Sequence, residues 1–145
     1  MLKKNILIYG ATGSIGESTL NLIRNHRENF NVVGLTCNKN IQKAIDLSKE
    51  FDCKNIGIGN IKLANKYKSD LSSYKIHEGI EEFYSLVIEN DVDIIIFAIS
   101  GTSPLNLLME LALSGKTIGL ANKECIICLG RLFLDRAKTS STNIV

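Results

Sequence analysis

The chain has little proline, few aromatic residues, no long apolar run and no excess of charge of one sign. Its 145 residues include one proline, no tryptophan and 6% aromatic residues. The longest strongly apolar stretch, Ile94 to Ile99, has the length of a strand and is far short of the roughly 20 residues that cross a membrane. Basic residues number 17 and acidic residues 15, so the net charge is only +2. We therefore predict no membrane span and no nucleic-acid partner.

An export signal is also missing from the sequence. The first five residues lead directly into a strand-like segment and leave no space for a signal or transit peptide. We expect a cytoplasmic protein with reduced cysteines, and we interpret Cys37 and Cys53 as small hydrophobic residues. Cys125 and Cys128 have the spacing of a redox motif, but the two isoleucines between them favour a buried helical turn. No histidine stands at a suitable spacing to complete a zinc site, so we predict no metal site within this chain.

Apolar runs of strand length alternate with segments of helical period along the chain. The predicted strands are, in order, Asn5–Tyr9, Phe30–Thr36, Asn55–Ile58, Tyr74–His77, Asp93–Ile99 and Thr117–Ala121. Strands that are apolar on both faces are typical of parallel sheets covered by helices on both sides. Ile15, Thr19, Leu22 and Ile23 have the spacing of one face of the first helix. The pattern predicts an α/β protein with a doubly wound, Rossmann-like parallel sheet and helices on both faces.

A glycine-rich segment follows the first predicted strand and opens the first helix. Gly10 permits a tight turn, Gly13 lets the backbone approach a pyrophosphate, and Gly16 lets the helix pack close to the strand. The helix N-terminus offers unpaired N–H groups and the positive end of its dipole to the phosphates. Thr12 and Ser14 add hydroxyl donors in the same segment. The spacing and its context predict a dinucleotide-binding site.

The second predicted strand ends without an acidic residue. Domains that prefer NAD usually carry an aspartate or glutamate there, which accepts a hydrogen bond from the ribose 2′-hydroxyl. Here the strand is followed by Asn38, Lys39 and Asn40, and the next acid is Asp46. A lysine without a carboxylate suits a 2′-phosphate. We therefore predict that the cofactor is NADPH rather than NADH.

Longer stretches of the sequence carry a resemblance to a known family. They are the segments 10–16, 39–40, 98–101 and 115–124, in this order, followed by 130–133. The run Leu-Ala-Asn-Lys-Glu at positions 120–124 is much more specific than the glycine loop. Together these segments resemble the N-terminal domain of the 1-deoxy-D-xylulose 5-phosphate reductoisomerases, and the resemblance covers essentially the whole chain.

The resemblance implies a function and a set of site residues. Members of the family convert deoxyxylulose phosphate to 2-C-methyl-D-erythritol 4-phosphate in non-mevalonate isoprenoid biosynthesis, with NADPH and a divalent metal, Mn or Mg. They are usually homodimers, which implies a homodimeric parent enzyme. The resemblance assigns the pyrophosphate loop to Thr12, Gly13, Ser14 and Ile15, and the adenosine phosphate contacts to Asn38, Lys39 and Asn40. It assigns further cofactor contacts to Asn122 and Glu124, and one substrate contact to Lys123.

Three single positions and one short segment depart from the family pattern. Asn38 stands where the family commonly has glycine, although asparagine tolerates a positive φ better than most residues. Ser100 replaces a small aliphatic residue, and Cys125 replaces a serine. The segment Thr102–Pro104 is polar where the family is apolar, and it predicts a polar helix cap with proline in the first helical turn.

The last residues, Asn143 to Val145, resemble the beginning of another strand. In the family the acidic metal-binding motif follows such a strand, and neither that motif nor the C-terminal helices occur in this sequence. We therefore expect residues 1–145 to be an NADPH-binding domain that ends just before the metal-binding catalytic domain. On this interpretation the chain binds NADPH, contains no catalytic residue of its own and catalyses nothing alone.

Two other functions compete with this interpretation. A short-chain dehydrogenase or epimerase would need a Tyr-x-x-x-Lys pair, and none of the four tyrosines has a lysine four places on. A stand-alone NAD(P)-sensing regulatory module shares the fold and stays open. The run Ala121–Glu124 argues against the sensor, because a sensor needs no substrate lysine beside the nicotinamide.

Overall fold

A computed structural model describes residues 2–145, except for the side chains of Ile80 and Glu81. In this part of the chain, seven parallel strands form one sheet in the order β4-β3-β2-β1-β5-β6-β7. The strands are β1 (Lys4–Tyr9), β2 (Phe30–Cys37), β3 (Asn55–Ile58), β4 (Lys75–Glu78), β5 (Ile94–Phe97), β6 (Thr117–Leu120) and β7 (Asn143–Ile144).

Helices connect the successive strands. They are α1 (Ser14–Arg24), α2 (Ile41–Glu50), α3 (Ile61–Ala64), α4 (Lys68–Leu71), α5 (Gly79–Glu82), α6 (Ser85–Glu89), α7 (Leu105–Leu111) and α8 (Lys123–Thr139), with a 3₁₀ turn at Asn65–Tyr67. Helix α8 is interrupted at Gly130, whose backbone angles are not helical (φ 47°, ψ −126°). Each connection returns the chain to the same end of the sheet, as parallel pairing requires.

Residues of β1 alternate between two separate cores. Ile6 and Ile8 belong to a cluster on one face with residues of α1 and α2, whereas Leu7 and Tyr9 belong to a cluster on the other face with residues of α6, α7 and α8. Both faces of the sheet are therefore covered by helices. The prediction of a doubly wound α/β fold is confirmed, and its physical basis is the continuous apolar character of the central strands.

The predicted elements differ from the structure in detail. Every predicted strand is present, with ends that shift by up to two residues, and the short strand β7 forms at Asn143. The predicted apolar face of α1 was only partly correct, because Ile23 is buried but Ile15 and Leu22 are exposed. The helix buries Gly16 and Leu20 together with Ile23, since Gly16 faces the loop at the end of β1. None of the helices within the described residues combines the length and apolar character that crossing a bilayer requires.

A buried hydrogen bond joins the centre of the sheet to the segment that precedes α6. The hydroxyl of Tyr9 donates to the carbonyl oxygen of Phe83 at 2.6 Å, and Tyr9 is fully buried. Burial raises the pKa of Tyr9 far above its ordinary value, so the hydroxyl remains a donor. The Tyr9 ring also packs against those of Phe83 and Phe97, with centroids 5.9 and 5.8 Å away.

We expect Tyr9→Phe to destabilise the fold by about 1 kcal/mol, because it removes the shorter of two hydrogen bonds to the Phe83 carbonyl group and leaves only that from the Leu86 amide, at 3.2 Å. Urea unfolding followed by circular dichroism measures this change. Tyr74→Phe is the matched control: Tyr74 is only partly buried, and its substitution should change the stability by less than about 0.5 kcal/mol. Equal changes in the two variants would contradict the assignment.

Candidate functional site

The candidate site lies at the carboxyl ends of β1, β2 and β5. Strand β1 pairs with β2 on one side and with β5 on the other, so the chain order reverses beside β1. In open α/β sheets, ligands bind in the crevice at such a switch point. A cavity of about 320 Å³ lies here. It is lined by Gly10, Thr12, Gly13, Thr36, Cys37, Asn38, Gly59, Phe83, Ala98, Ile99, Ser100 and Ser103.

The turn after β1 depends on the absence of a side chain at Gly10. Gly10 has a φ of +82°, and a Cβ there would lie 2.6 Å from the carbonyl oxygen of Ala98. The Gly10 amide donates to Thr36 Oγ1 at 3.0 Å, and the amide of Ala11 donates to the Thr36 carbonyl at 2.9 Å. Backbone from β2 and from the end of β5 therefore encloses the turn from both sides.

Helix α1 begins immediately after this turn without a side-chain cap. Gly13 is its N-cap residue and has no side chain to accept from the first amides. The backbone of Gly16 lies so close to the turn that a Cβ there would collide with the carbonyl oxygen of Gly10 and lie 2.6 Å from Ala11 Cα. The free N–H groups at the start of α1 and its dipole thus lie beside the cavity, where they favour an anion.

The predicted residues after β2 are all exposed. Asn38 lines the cavity, whereas Lys39 and Asn40 lie outside its lining. The Asn40 side chain caps α2 by accepting from the Lys43 amide at 3.3 Å. Among the described residues other than glycine, only Asp52 and Ser141 have a positive φ. The turn therefore does not use the left-handed conformation that we considered for Asn38.

The predicted residues after β6 begin helix α8. Asn122 is 2% exposed, and its side-chain amide donates to the carbonyl groups of Ile99 and Gly101 at 2.5 and 2.9 Å. Its side-chain oxygen caps α8 by accepting from the Cys125 amide at 2.7 Å. Lys123 is exposed and Glu124 is partly buried, and neither lines the cavity. Asn122 thus connects the start of α8 to the loop after β5.

Two local predictions about this end of the sheet were wrong. Pro104 is the N-cap residue of α7 rather than a residue of its first turn, and no side chain caps that helix. The turn between Cys125 and Cys128 is not buried as a whole, because Ile126 and Ile127 are 48% and 79% exposed. Helix α8 contacts the core through Cys125, Phe133 and Ala137, so most of its apolar residues face outwards.

The three buried cysteines, Cys37, Cys53 and Cys125, offer no activated thiolate that the site could use. All four are free, and three of them are buried. Burial raises the pKa of the Cys37 thiol to about 12 and that of Cys53 to about 11, and it also raises the pKa of Cys125. A thiol with a raised pKa is a poor nucleophile and metal ligand. Among the side chains that the structure describes, no three histidine, cysteine or acidic residues lie together as a metal site would require.

The structure adds site residues that the sequence motifs did not indicate. Thr36 supports the turn at Gly10 from β2, and Phe83 and Gly59 line the cavity from other connections. Lys43, on the first turn of α2, places its ammonium group 3.4 Å from the carbonyl oxygen of Thr12 and 2.7 Å from Glu17 Oε2. The hydrogen bond from Lys43 holds the pKa of the Glu17 carboxyl below its usual range. No periodicity or motif links these residues, since they meet only when the sheet forms.

The parallel sheet, the switch point and the glycine turn together define a Rossmann-like domain. The family model described as 1-deoxy-D-xylulose 5-phosphate reductoisomerase matches residues 6–130, and the chain belongs to that family.

Individual relatives support the same assignment. The chain is 35% identical over 146 residues to the 1-deoxy-D-xylulose 5-phosphate reductoisomerase of Clostridium perfringens strain 13, covering 98% of this chain and 38% of the relative. It is similar to the structure of the Zymomonas mobilis enzyme in complex with NADPH, with a TM-score of 0.91, 30% identity, and coverage of 99% of this chain and 38% of that one. A reductoisomerase structure with NADPH, fosmidomycin and magnesium gives a TM-score of 0.87 at 32% identity, covering 97% and 35%. The chain therefore spans less than two fifths of the length of these relatives.

We expect Gly16→Ala to destabilise the domain by about 1–3 kcal/mol, because the added methyl group meets rigid backbone that has to move. Urea unfolding of the variant against the unaltered chain measures the loss. Gly13→Ala is the matched control: a Cβ at Gly13 would have its nearest neighbour at an ordinary 3.5 Å, and φ is −83° there. Its cost should stay below about 1 kcal/mol, that of a poorer N-cap residue. A larger loss for Gly13→Ala than for Gly16→Ala would contradict the geometry.

Proposed function

We propose that this chain is the NADPH-binding domain of a 1-deoxy-D-xylulose 5-phosphate reductoisomerase. In the complete enzyme, residues 1–145 adjoin a metal-binding catalytic domain. The observation that carries the proposal is the uncapped N-terminus of α1, which lies beside a cavity at the switch point of the sheet. Similar reductoisomerases whose structures contain NADPH support it. The reaction proposed for the whole enzyme is the rearrangement and reduction of deoxyxylulose phosphate to 2-C-methyl-D-erythritol 4-phosphate.

The pyrophosphate of the nucleotide fits the start of α1. Ser14 and Ile15 provide backbone N–H groups there, and no side-chain cap competes for them. The Gly13 amide donates to the Gly10 carbonyl oxygen at 3.2 Å, so Gly13 contributes by shaping the turn and by leaving space for the pyrophosphate. Thr12 lines the cavity and adds a hydroxyl donor. Gly10 keeps the turn free of a side chain that would fill the space between β1 and β5. These residues bind the anion with backbone dipoles rather than with paired charges.

The 2′-phosphate is assigned to the segment after β2. Asn38 lines the cavity, and the exposed Lys39 follows it with no carboxylate in the segment to repel a phosphate. An ammonium group favours a phosphate through a charge-assisted hydrogen bond. Asn40 uses its side chain to cap α2, so its contribution is to hold this segment in place.

The nicotinamide end is assigned to the loops after β5 and β6. When bound, NADPH supplies the hydride that reduces a carbonyl group of the rearranged substrate. Asn122 holds the backbone of Ile99 and Gly101 against the start of α8. Lys123 is exposed at this edge, where its ammonium group can contact substrate oxygens and stabilise developing negative charge. Glu124 follows Lys123 in the chain, and we assign it a further contact with the cofactor.

The remaining parts of the proposal concern the complete enzyme. We assign a divalent metal, Mn or Mg, to the catalytic domain of the complete enzyme, and the magnesium in the structure of a similar reductoisomerase supports the need for a metal. The complete enzyme acts in the cytoplasm as a homodimer, with NADPH and deoxyxylulose phosphate as its small-molecule partners and without nucleic acid or membrane.

We expect the chain to bind NADPH in preference to NADH, and Lys39→Glu to weaken NADPH binding by about tenfold or more while NADH binding changes little. The physical reason is that the variant replaces attraction to the 2′-phosphate with repulsion. Isothermal titration calorimetry with both nucleotides measures the effect.

Lys49→Glu is the matched control for this experiment. It makes the same change of charge at an exposed position in the last turn of α2, away from the cavity. Its affinity for both nucleotides should equal that of the unaltered chain. An unchanged preference in Lys39→Glu would exclude Lys39 as the 2′-phosphate contact.

We expect the chain alone to show no sustained loss of nicotinamide absorbance with deoxyxylulose phosphate, Mn²⁺ and NADPH. The rearrangement needs a Lewis acid, and the described residues provide no carboxylate cluster to hold one. The full-length Bacillus subtilis relative, assayed under the same conditions, is the positive control. Continued NADPH consumption by the chain alone, dependent on the substrate, would overturn this part of the proposal.

A further inference from the structure

Lys43 connects the two segments between which the nucleotide would lie. It belongs to the first turn of α2, directly after the 2′-phosphate segment, yet its ammonium group contacts the loop after β1. Its partners are the carbonyl oxygen of Thr12, at 3.4 Å, and Glu17 Oε2, at 2.7 Å. The Lys43 side chain is 31% exposed, so it is partly shielded from solvent in this position.

The ion pair between Lys43 and Glu17 matters because of where Glu17 lies. It is the acidic residue in the first turn of α1, close to the N–H groups that would receive a pyrophosphate. A carboxylate there benefits from the helix dipole, but it also repels an incoming anion. Lys43 is the cation that pairs with it and cancels that repulsion. The same ammonium group holds the Thr12 carbonyl within the loop.

We propose that Lys43 is a positioning residue of the nucleotide site, which neutralises Glu17 and holds the Thr12 carbonyl so that the loop can accept a pyrophosphate. The inference rests on the proposed function, because it concerns the same nucleotide. It gives Lys43 a different role from Lys39. Lys39 distinguishes NADPH from NADH, whereas Lys43 supports binding of the pyrophosphate that both nucleotides contain.

A double-mutant cycle with Lys43→Gln and Glu17→Gln tests the role of the pair. We expect Lys43→Gln to weaken NADPH and NADH by the same factor, about tenfold, so that the ratio of the two affinities stays constant. Adding Glu17→Gln should restore both affinities to within about threefold of the unaltered chain, because the uncompensated carboxylate is then gone. Lys43→Arg should keep most of the affinity. Calorimetric titration of each variant with the two nucleotides gives these values.

Lys4→Gln is the matched control for loss of a surface ion pair. Lys4 pairs with Asp93 at 3.5 Å at the opposite end of β1, and its removal should leave both affinities unchanged. Three results would overturn the inference. They are unchanged binding in Lys43→Gln, a loss confined to NADPH, and a loss that Glu17→Gln does not repair. Failure of the unaltered chain to bind either nucleotide would instead overturn the proposed function, and this inference with it.

Discussion

The closeness of three backbone segments around Gly10 is the constraint on which the site depends. The turn after β1 has the end of β5 on one side and the start of α1 on the other, and no side chain fits at Gly10 or Gly16. This contact sets the angle at which α1 leaves the sheet. It also brings the uncapped end of the helix to the switch point, where the cavity is formed. The site therefore depends on the absence of side chains at Gly10 and Gly16 as much as on the functional groups around it.

Side chains from other strands and connections hold this backbone arrangement in place. Thr36 accepts from the Gly10 amide, and Lys43 contacts the Thr12 carbonyl. Asn122 performs a comparable task one strand further along, where it connects the loop after β5 to the start of α8. Each of these polar groups links neighbouring connections at the carboxyl edge of the sheet. The edge is consequently a network of joined loops rather than a row of independent ones.

The sequence predicted the layers of the fold well, because continuous apolar runs leave few alternatives to a covered parallel sheet. It also located the turn at Gly10, where the motif and the geometry concern neighbouring residues. It did not indicate Thr36 or Lys43, whose partners lie 26 and 31 residues away and are brought near only by the topology. Apolar character was a poor guide to burial on α8, where Ile127 is exposed. The roles of the individual cofactor-contacting residues stay predictions, since they depend on a ligand.

The central position of β1 has a consequence for the order in which the molecule folds. Its partner β2 is close in the chain, but its other partner, β5, is distant: the Asn5 amide donates to Asp93, 88 residues further on. Closing so long a loop is slow compared with local pairing. We therefore expect the contact between Ala98 and the Gly10 turn to form after β1 has paired with β2. A nucleotide would then bind only the completed sheet, and its binding would make local opening of β5 less favourable.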